Sequence, residues 1–143
     1  MGERFSSYFF AGEWEWRPGI PEELGRLDTI CFVRQWQSQD FDQVLAQKTI
    51  HAWTVRISGE SAGYVCVQFI PPELEILRLG VIPEFRNQGL ARKILEELES
   101  WARTVGGETI FLEVHETNHP ARRLYAGRGF QEVKIRKGYY TNP

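Results

Sequence analysis

The chain has 143 residues, 42% of them hydrophobic, and a formal net charge of -2. That length supports one core and is too short for two ordinary domains, so a single domain over residues 1–143 is expected, and the small charge argues against a surface that binds nucleic acid throughout. Two cysteines, Cys31 and Cys66, make no spaced framework, no apolar run approaches a membrane span, and the N-terminus lacks the basic-then-apolar layout of a secretion signal; together these predict a cytoplasmic protein with no metal and no membrane contact.

Residues 1–10 follow no period, although Phe5, Tyr8, Phe9 and Phe10 make them too aromatic for a purely solvated tail. Gly2 to Ser6 satisfy the short myristoylation pattern, whose loosely specified positions often match by chance. Trp14-Glu15-Trp16 alternates as a strand that Pro18-Gly19 breaks. Pro21-Glu22-Glu23 opens a helix with proline and acids in its first turn, and Leu24, Leu27, Ile30 and Cys31 give it one apolar face. Ser38 can cap a second helix bearing Phe41, Val44 and Leu45. Residues 50–57 and 62–70 are rich in β-branched and aromatic side chains and are joined by Ser58-Gly59-Glu60-Ser61, a hairpin signal. Pro71-Pro72 ends the second of these strands, and residues 73–81 form the next.

That strand delivers the chain to Leu79-Gly80-Val81-Ile82-Pro83-Glu84-Phe85-Arg86-Asn87-Gln88-Gly89-Leu90-Ala91-Arg92, which reads as strand, tight loop and helix start. Beyond it Leu90, Ile94, Leu95, Leu98, Trp101, Ala102 and Val105 fall at helical spacing, while Arg92, Lys93, Glu96, Glu97, Ser100 and Arg103 face away, and Gly106-Gly107 ends the helix. Backbone N–H groups without intrahelical partners converge in such a loop and suit an anion, most often a phosphate. A plain strand-to-helix connection explains the same glycine.

Residues 109–114 read as a buried strand interrupted by Glu113. A short helix over 120–126 follows, capped by Asn118 or His119 with Pro120 in its first turn, and Gly127 and Gly129 terminate it. Residues 130–137 alternate as a further strand. The order strand, two helices, three strands, helix, strand, helix, strand implies a mixed α/β fold with helices on both sheet faces. Residues 120–137 also carry Arg122, Arg123, Arg128, Lys134, Arg136 and Lys137 against Glu132 alone, a solvated basic face by default and otherwise a surface for cofactor phosphates or ribosomal RNA.

Glu113 admits two explanations: it points outward on a pleated strand, or it is a general base whose apolar neighbours lift its pKa toward neutrality. On the residues alone Tyr125 is ordinary packing with its hydroxyl at the surface, and Asn118 is a helix cap. His115-Glu116-Thr117-Asn118-His119 is a literal H-E-x-x-H, but zinc chemistry needs both histidines on one helix face, and Pro120 disfavours a helical conformation at His119. His115 also qualifies as a base beside Glu113 or as a surface residue.

Arg86-x-x-Gly89-x-Ala91, preceded by Val81-x-Pro83-x-Phe85 and followed by Asn118-x-x-Ala121-x-x-Leu124-Tyr125-x-x-x-Gly129-Phe130, resembles the GNAT acyltransferases. Leu112-Glu113-Val114 and the later Tyr139-Tyr140 are similar to the RimI-like subgroup, whose members acetylate the N-terminal alanine of a small-subunit ribosomal protein. The resemblance implies a mixed, mostly antiparallel sheet with helices on both faces and acetyl-CoA as acetyl donor. It implies Glu113 as base and Tyr125 as the acid for the departing thiolate. It implies that Leu79, Gly80 and Val81 pair with the pantetheine, that Asn87, Gln88, Gly89, Leu90, Ala91 and Arg92 surround the pyrophosphate, and that Asn118 touches the cofactor. The acceptor it implies is a protein N-terminus, with a small amine or lysine as the alternative and an idle acyl-CoA-binding module as a third reading. Such chains usually run past the tyrosine pair into an acidic turn and a final strand, so the expectation here is that this strand is missing or the chain is truncated, with an open sheet edge or a strand from a partner, as in a homodimer, in its place.

Overall fold

The computed structural model describes residues 14–32, 36–115, 117–133 and 139–142. The aromatic N-terminal stretch and the myristoylation pattern lie outside the described residues, as do Glu116, Lys134, Arg136 and Lys137.

Among the described residues, the strands β1 (Trp14–Pro18), β2 (Ile50–Ile57), β3 (Glu60–Ile70), β4 (Glu73–Val81), β5 (Thr109–Glu113), β6 (Gln131–Val133) and β7 (Tyr139–Asn142) form one sheet in the order β1-β2-β3-β4-β5-β7-β6. β1, β2, β3 and β4 pair antiparallel in chain order, β2 to β3 and β3 to β4 through tight turns and β1 to β2 across a connection that holds two helices. The β2–β3 hairpin turns on two residues, Ser58 (φ 53°) and Gly59 (φ 84°), shorter than the four-residue link the sequence suggests, because two left-handed residues match the strand twist. β4 and β5 alone run parallel, since a helical crossover lies between them.

That crossover is α3 (Leu90–Thr104), which buries Leu90, Ile94, Leu95 and Leu98 against Val65, Val67, Leu74, Ile110 and Leu112. The short helix α4 (His119–Gly127) adds Tyr125 to the same layer. On the other face α1 (Pro21–Cys31) and α2 (Ser38–Leu45) pack Leu24, Leu27 and Phe41 against Ala52, Tyr64 and Cys66. No described helix is long and apolar enough to cross a membrane.

Three local expectations change. The N-cap of α2 is Gln37, not Ser38, because Asp40 reaches back to the Gln37 N–H at 2.8 Å and closes a capping box. On α1 Ile30 is 51% exposed whereas Asp28 is 0% exposed, so a carboxylate takes the place that apolar spacing assigns to an isoleucine. The final strand falls at the tyrosine pair rather than past it: Tyr139 and Tyr140 enter β7, Tyr140 pairing with Leu112 on one side and Glu132 on the other. Among the described residues the outer strands of the sheet are β1 and β6, and β5 is paired on both sides.

β4 contains the irregularity that shapes the site. Val67 faces Ile76 and Cys66 faces Arg78, so Leu77 is an extra residue on β4. Pairing with β5 runs from Glu73 and Thr109 only as far as Ile76 and Leu112.

Candidate active site

Past Leu77 the strand β4 keeps β3 as its neighbour and loses β5. The Ile82 N–H donates to the Ala62 carbonyl at 2.9 Å, so by ladder alternation Val81 turns its own N–H and C=O the other way, into the widening gap. The Val81 carbonyl accepts there from Arg86 Nε at 2.8 Å and from the Cys31 thiol at 3.5 Å. Leu79, two residues back, shares the orientation. Gly80 lies between them because space is short: a Cβ there would come within 2.5 Å of the Tyr64 ring and 3.0 Å of Cys31 Sγ. Burial pushes the Cys31 thiol up from its ordinary pKa, and the hydrogen bond and charge of Arg86 pull the other way.

After a single 3₁₀ turn, Pro83–Phe85, the chain passes through Asn87 (φ 62°) and Gly89 (φ 84°) into α3. Gly89 is the N-cap and supplies no side chain to the free donors. Lys93 is the first residue of α3 to bond back, to the Gly89 carbonyl at 3.0 Å, so the N–H groups of Leu90, Ala91 and Arg92 stand without intrahelical partners. They open onto a cleft of ≈ 370 Å³ lined by Val81, Phe85, Arg86, Asn87, Gly89, Leu90, Ala91, Arg92, Pro120, Ala121 and Leu124. Exposed donors, a helix dipole and two guanidinium side chains in an open cleft fit a diphosphate, and no bulky side chain fills the turn.

The cleft therefore brings together Val81, Asn87, Gly89, Leu90, Ala91 and Arg92. Gln88 faces back, its amide donating to the Glu84 carbonyl at 3.2 Å. Asn118 caps α4, its Oδ1 accepting from the Ala121 N–H at 3.2 Å, which places it at the end of the helix whose Pro120, Ala121 and Leu124 form the far wall. Sequence reasoning passed over Arg86 as a side chain and Leu124 as a wall; the first stood in the R-x-x-G-x-A pattern, the second at helical spacing from Ala121.

Glu113 ends β5, exposed. Ile110 and Leu112 point into the layer under α3, so Glu113 points to the opposite side, and apolar strand neighbours do not enclose it as the base reading supposed. Tyr125 is on the α3 side, 7% exposed, its ring edge-on to Phe130 at 5.5 Å, and burial pushes its phenol up to about 12. The two groups thus lie on opposite faces of the sheet. His115 lies beyond the strand and binds Thr117 Oγ1 through Nδ1 at 2.7 Å, while His119 opens α4, so the H-E-x-x-H stretch is not one helix face.

A profile described as the Acetyltransferase (GNAT) family matches residues 21–130, from the start of α1 through the cleft and α4 to Phe130. The chain belongs to the GNAT acetyltransferase family. This GNAT chain is accordingly an acetyl-CoA-dependent N-acetyltransferase. It is 35% identical over 125 residues to the N-alpha-acetyltransferase RimI of Mycobacterium tuberculosis, a match covering 83% of this chain and 77% of that one. Its fold is similar to the crystal structure of the ribosomal-protein-S18-alanine N-acetyltransferase from Escherichia coli, with a TM-score of 0.78, 20% identity, and 90% and 91% of the two chains covered. Arabidopsis thaliana NAA60, solved with a bisubstrate analogue, has the same fold at a TM-score of 0.72 and 23% identity, with 90% and 95% covered.

Proposed function

We propose that this enzyme acetylates the N-terminal α-amino group of a protein, with alanine-initiated chains as the first class to test, in the cytoplasm. What carries the reading is the continuity of one path: free N–H groups at the start of α3, then the unpaired edge of β4 at Leu79–Val81, then the end of β5 at Glu113. The relative from Mycobacterium tuberculosis is named for α-amine acetylation and the Escherichia coli structure for alanine of ribosomal protein S18, which supports this acceptor.

In this reading Leu90, Ala91 and Arg92 hold the diphosphate of acetyl-CoA through their N–H groups, with Asn87, Gln88 and Gly89 shaping the turn and Asn118 bordering the bound cofactor. Leu79, Gly80 and Val81 align the pantetheine along β4, and the Val81 N–H polarises the thioester carbonyl. An α-amino group with a pKa of about 8 is neutral far more often near pH 7 than a lysine at about 10.4. Glu113 takes the proton the amine sheds as the new amide bond forms. Tyr125 gives its phenolic proton to the thiolate released when the C–S bond breaks. The gap between β4 and β5 lets groups on the two sheet faces serve one thioester.

The test is mass spectrometry of an alanine-initiated peptide that also contains a lysine, after incubation with acetyl-CoA. Acetylation at the α-amine supports the proposal. Acetylation at lysine alone, or acetyl-CoA binding with no product from any amine, overturns it.

A further inference from the structure

Asp28 is the one carboxylate with 0% exposure among the described residues, and the acetyl-transfer path does not use it. Four donors meet it: the Tyr64 O–H and Arg78 Nε at Oδ1, the latter at 3.1 Å, and Arg78 Nη2 at 2.7 Å with the Trp36 N–H at 2.5 Å on Oδ2. The Arg78 side chain is 16% exposed, and its guanidinium lies over two rings, 4.3 Å from the centroid of Phe32 and 5.0 Å from that of Trp36. Trp36 in turn packs edge-on against Phe41 of α2 at 5.3 Å.

A buried ion pair is a poor device for stability, because desolvation offsets its attraction and an apolar replacement is often as good. Its use is orientation. Here it joins the end of α1, the approach to α2 and the residue of β4 directly after the Leu77 bulge. Arg78 faces Cys66 and points to the α1 side of the sheet; Glu113, opposite to Ile110 and Leu112, points to that side as well. The two rings therefore stand on the same face of the sheet as the carboxylate at the end of β5. Neither Arg78 nor Asp28 lines the cleft at the start of α3.

We infer that Arg78, clamped by Asp28, is a positioning residue for the acceptor: it sets Phe32 and Trp36 as the wall that guides the incoming amine chain toward Glu113. The inference rests on the acetyltransferase reading and assigns Arg78 an effect on the acceptor alone. Lysine keeps the charge that Asp28 needs but has neither the fork for two carboxylate oxygens nor a flat face for two rings. Arg78→Met combined with Asp28→Asn removes both charges, so no lone buried charge is left to unfold the protein.

The experiment compares wild type, Arg78→Lys, the double variant and Trp36→Ala. Acetyl-CoA affinity is measured by calorimetry and the acceptor KM and kcat on the alanine-initiated peptide. The expected result is acetyl-CoA affinity within about twofold throughout, acceptor KM raised about tenfold in each variant, and kcat at saturating acceptor little changed. Adding Arg78→Lys to Trp36→Ala should raise KM little further, because both act on one wall. An Arg78→Lys enzyme with wild-type acceptor KM, or a loss shared equally between acetyl-CoA and acceptor, overturns the inference while the function stands. A wild type that acetylates no amine removes the function and the inference together.

Discussion

Ile76 and Leu112 are the last residues that β4 and β5 set opposite one another; one residue further along, the parallel strands part. The cause is local, since Leu77 adds one residue to β4 against β3 and swings its end away from β5. A sheet that is closed along Glu73–Ile76 and open along the rest of β4 offers a ligand backbone groups that a continuous sheet would have consumed.

Replacing the carboxylate at the end of β5 tests its role as base. Glu113→Gln should lower kcat by about 10²-fold or more, in the range of general acid–base effects, and leave acetyl-CoA affinity unchanged because Glu113 is not part of the cleft. Stopped-assay kinetics with calorimetry on the same protein checks both halves. Turnover equal to wild type would remove Glu113 from the chemistry.

Tyr125→Phe should lower kcat by about 10-fold to 10²-fold, with the variant still folded, since only a hydroxyl is lost from a ring whose contact with Phe130 remains. Burial holds the phenol protonated up to about pH 12, so the wild-type rate should show no alkaline fall attributable to Tyr125 below about pH 11. A descending limb near pH 10 that disappears in Tyr125→Phe would contradict this placement.

Gly89→Ala isolates the loop conformation. At φ 84° a side chain is strained, yet a Cβ there meets nothing within 4 Å, so the cost is backbone strain of about 1–2 kcal/mol. Calorimetric melting should fall by about 3–8 °C. Acetyl-CoA affinity should weaken as well, because relieving the strain turns the free N–H groups. Unchanged affinity would mean that the turn does not hold the diphosphate.

His51 gives an optical readout of pH. Its ring lies 4.9 Å from Trp101 and 6.2 Å from Trp53, and burial lowers its pKa from 6.5. A depressed histidine favours folding above the unfolded pKa, and that contribution is lost as pH falls from 6.5 through the lower folded value. Tryptophan emission should therefore change with a midpoint below 6.5, and the step should be missing in His51→Gln. A midpoint at or above 6.5 in wild type would place the ring in water.

Much of this was written in local sequence. The period of Leu90, Ile94, Leu95 and Leu98 located α3, the Pro71-Pro72 and Gly106-Gly107 pairs bounded their elements, and Asn118 capped α4 as its position suggests. What stayed hidden depends on partners far away in the chain. Nothing near Asp28 announces that Tyr64 and Arg78 will meet it, and apolar spacing alone points to Ile30 instead. Tyr139–Asn142 looks like a loose end until β5 and β6 receive it on either side. The side to which Glu113 turns was likewise settled by the layer that Ile110 and Leu112 join, not by its own neighbours.

Because α3 presents its first turn to the cleft and its flank to the core, a donor held at that turn would also brace the fold. Any molecule that engages those N–H groups in the native state alone should raise the stability with the logarithm of its concentration, by about 2.7 kcal/mol at a hundredfold excess over Kd, and the melting temperature with it. Thermal shift across a panel of acyl thioesters would thus rank donor preference before any acceptor is in hand.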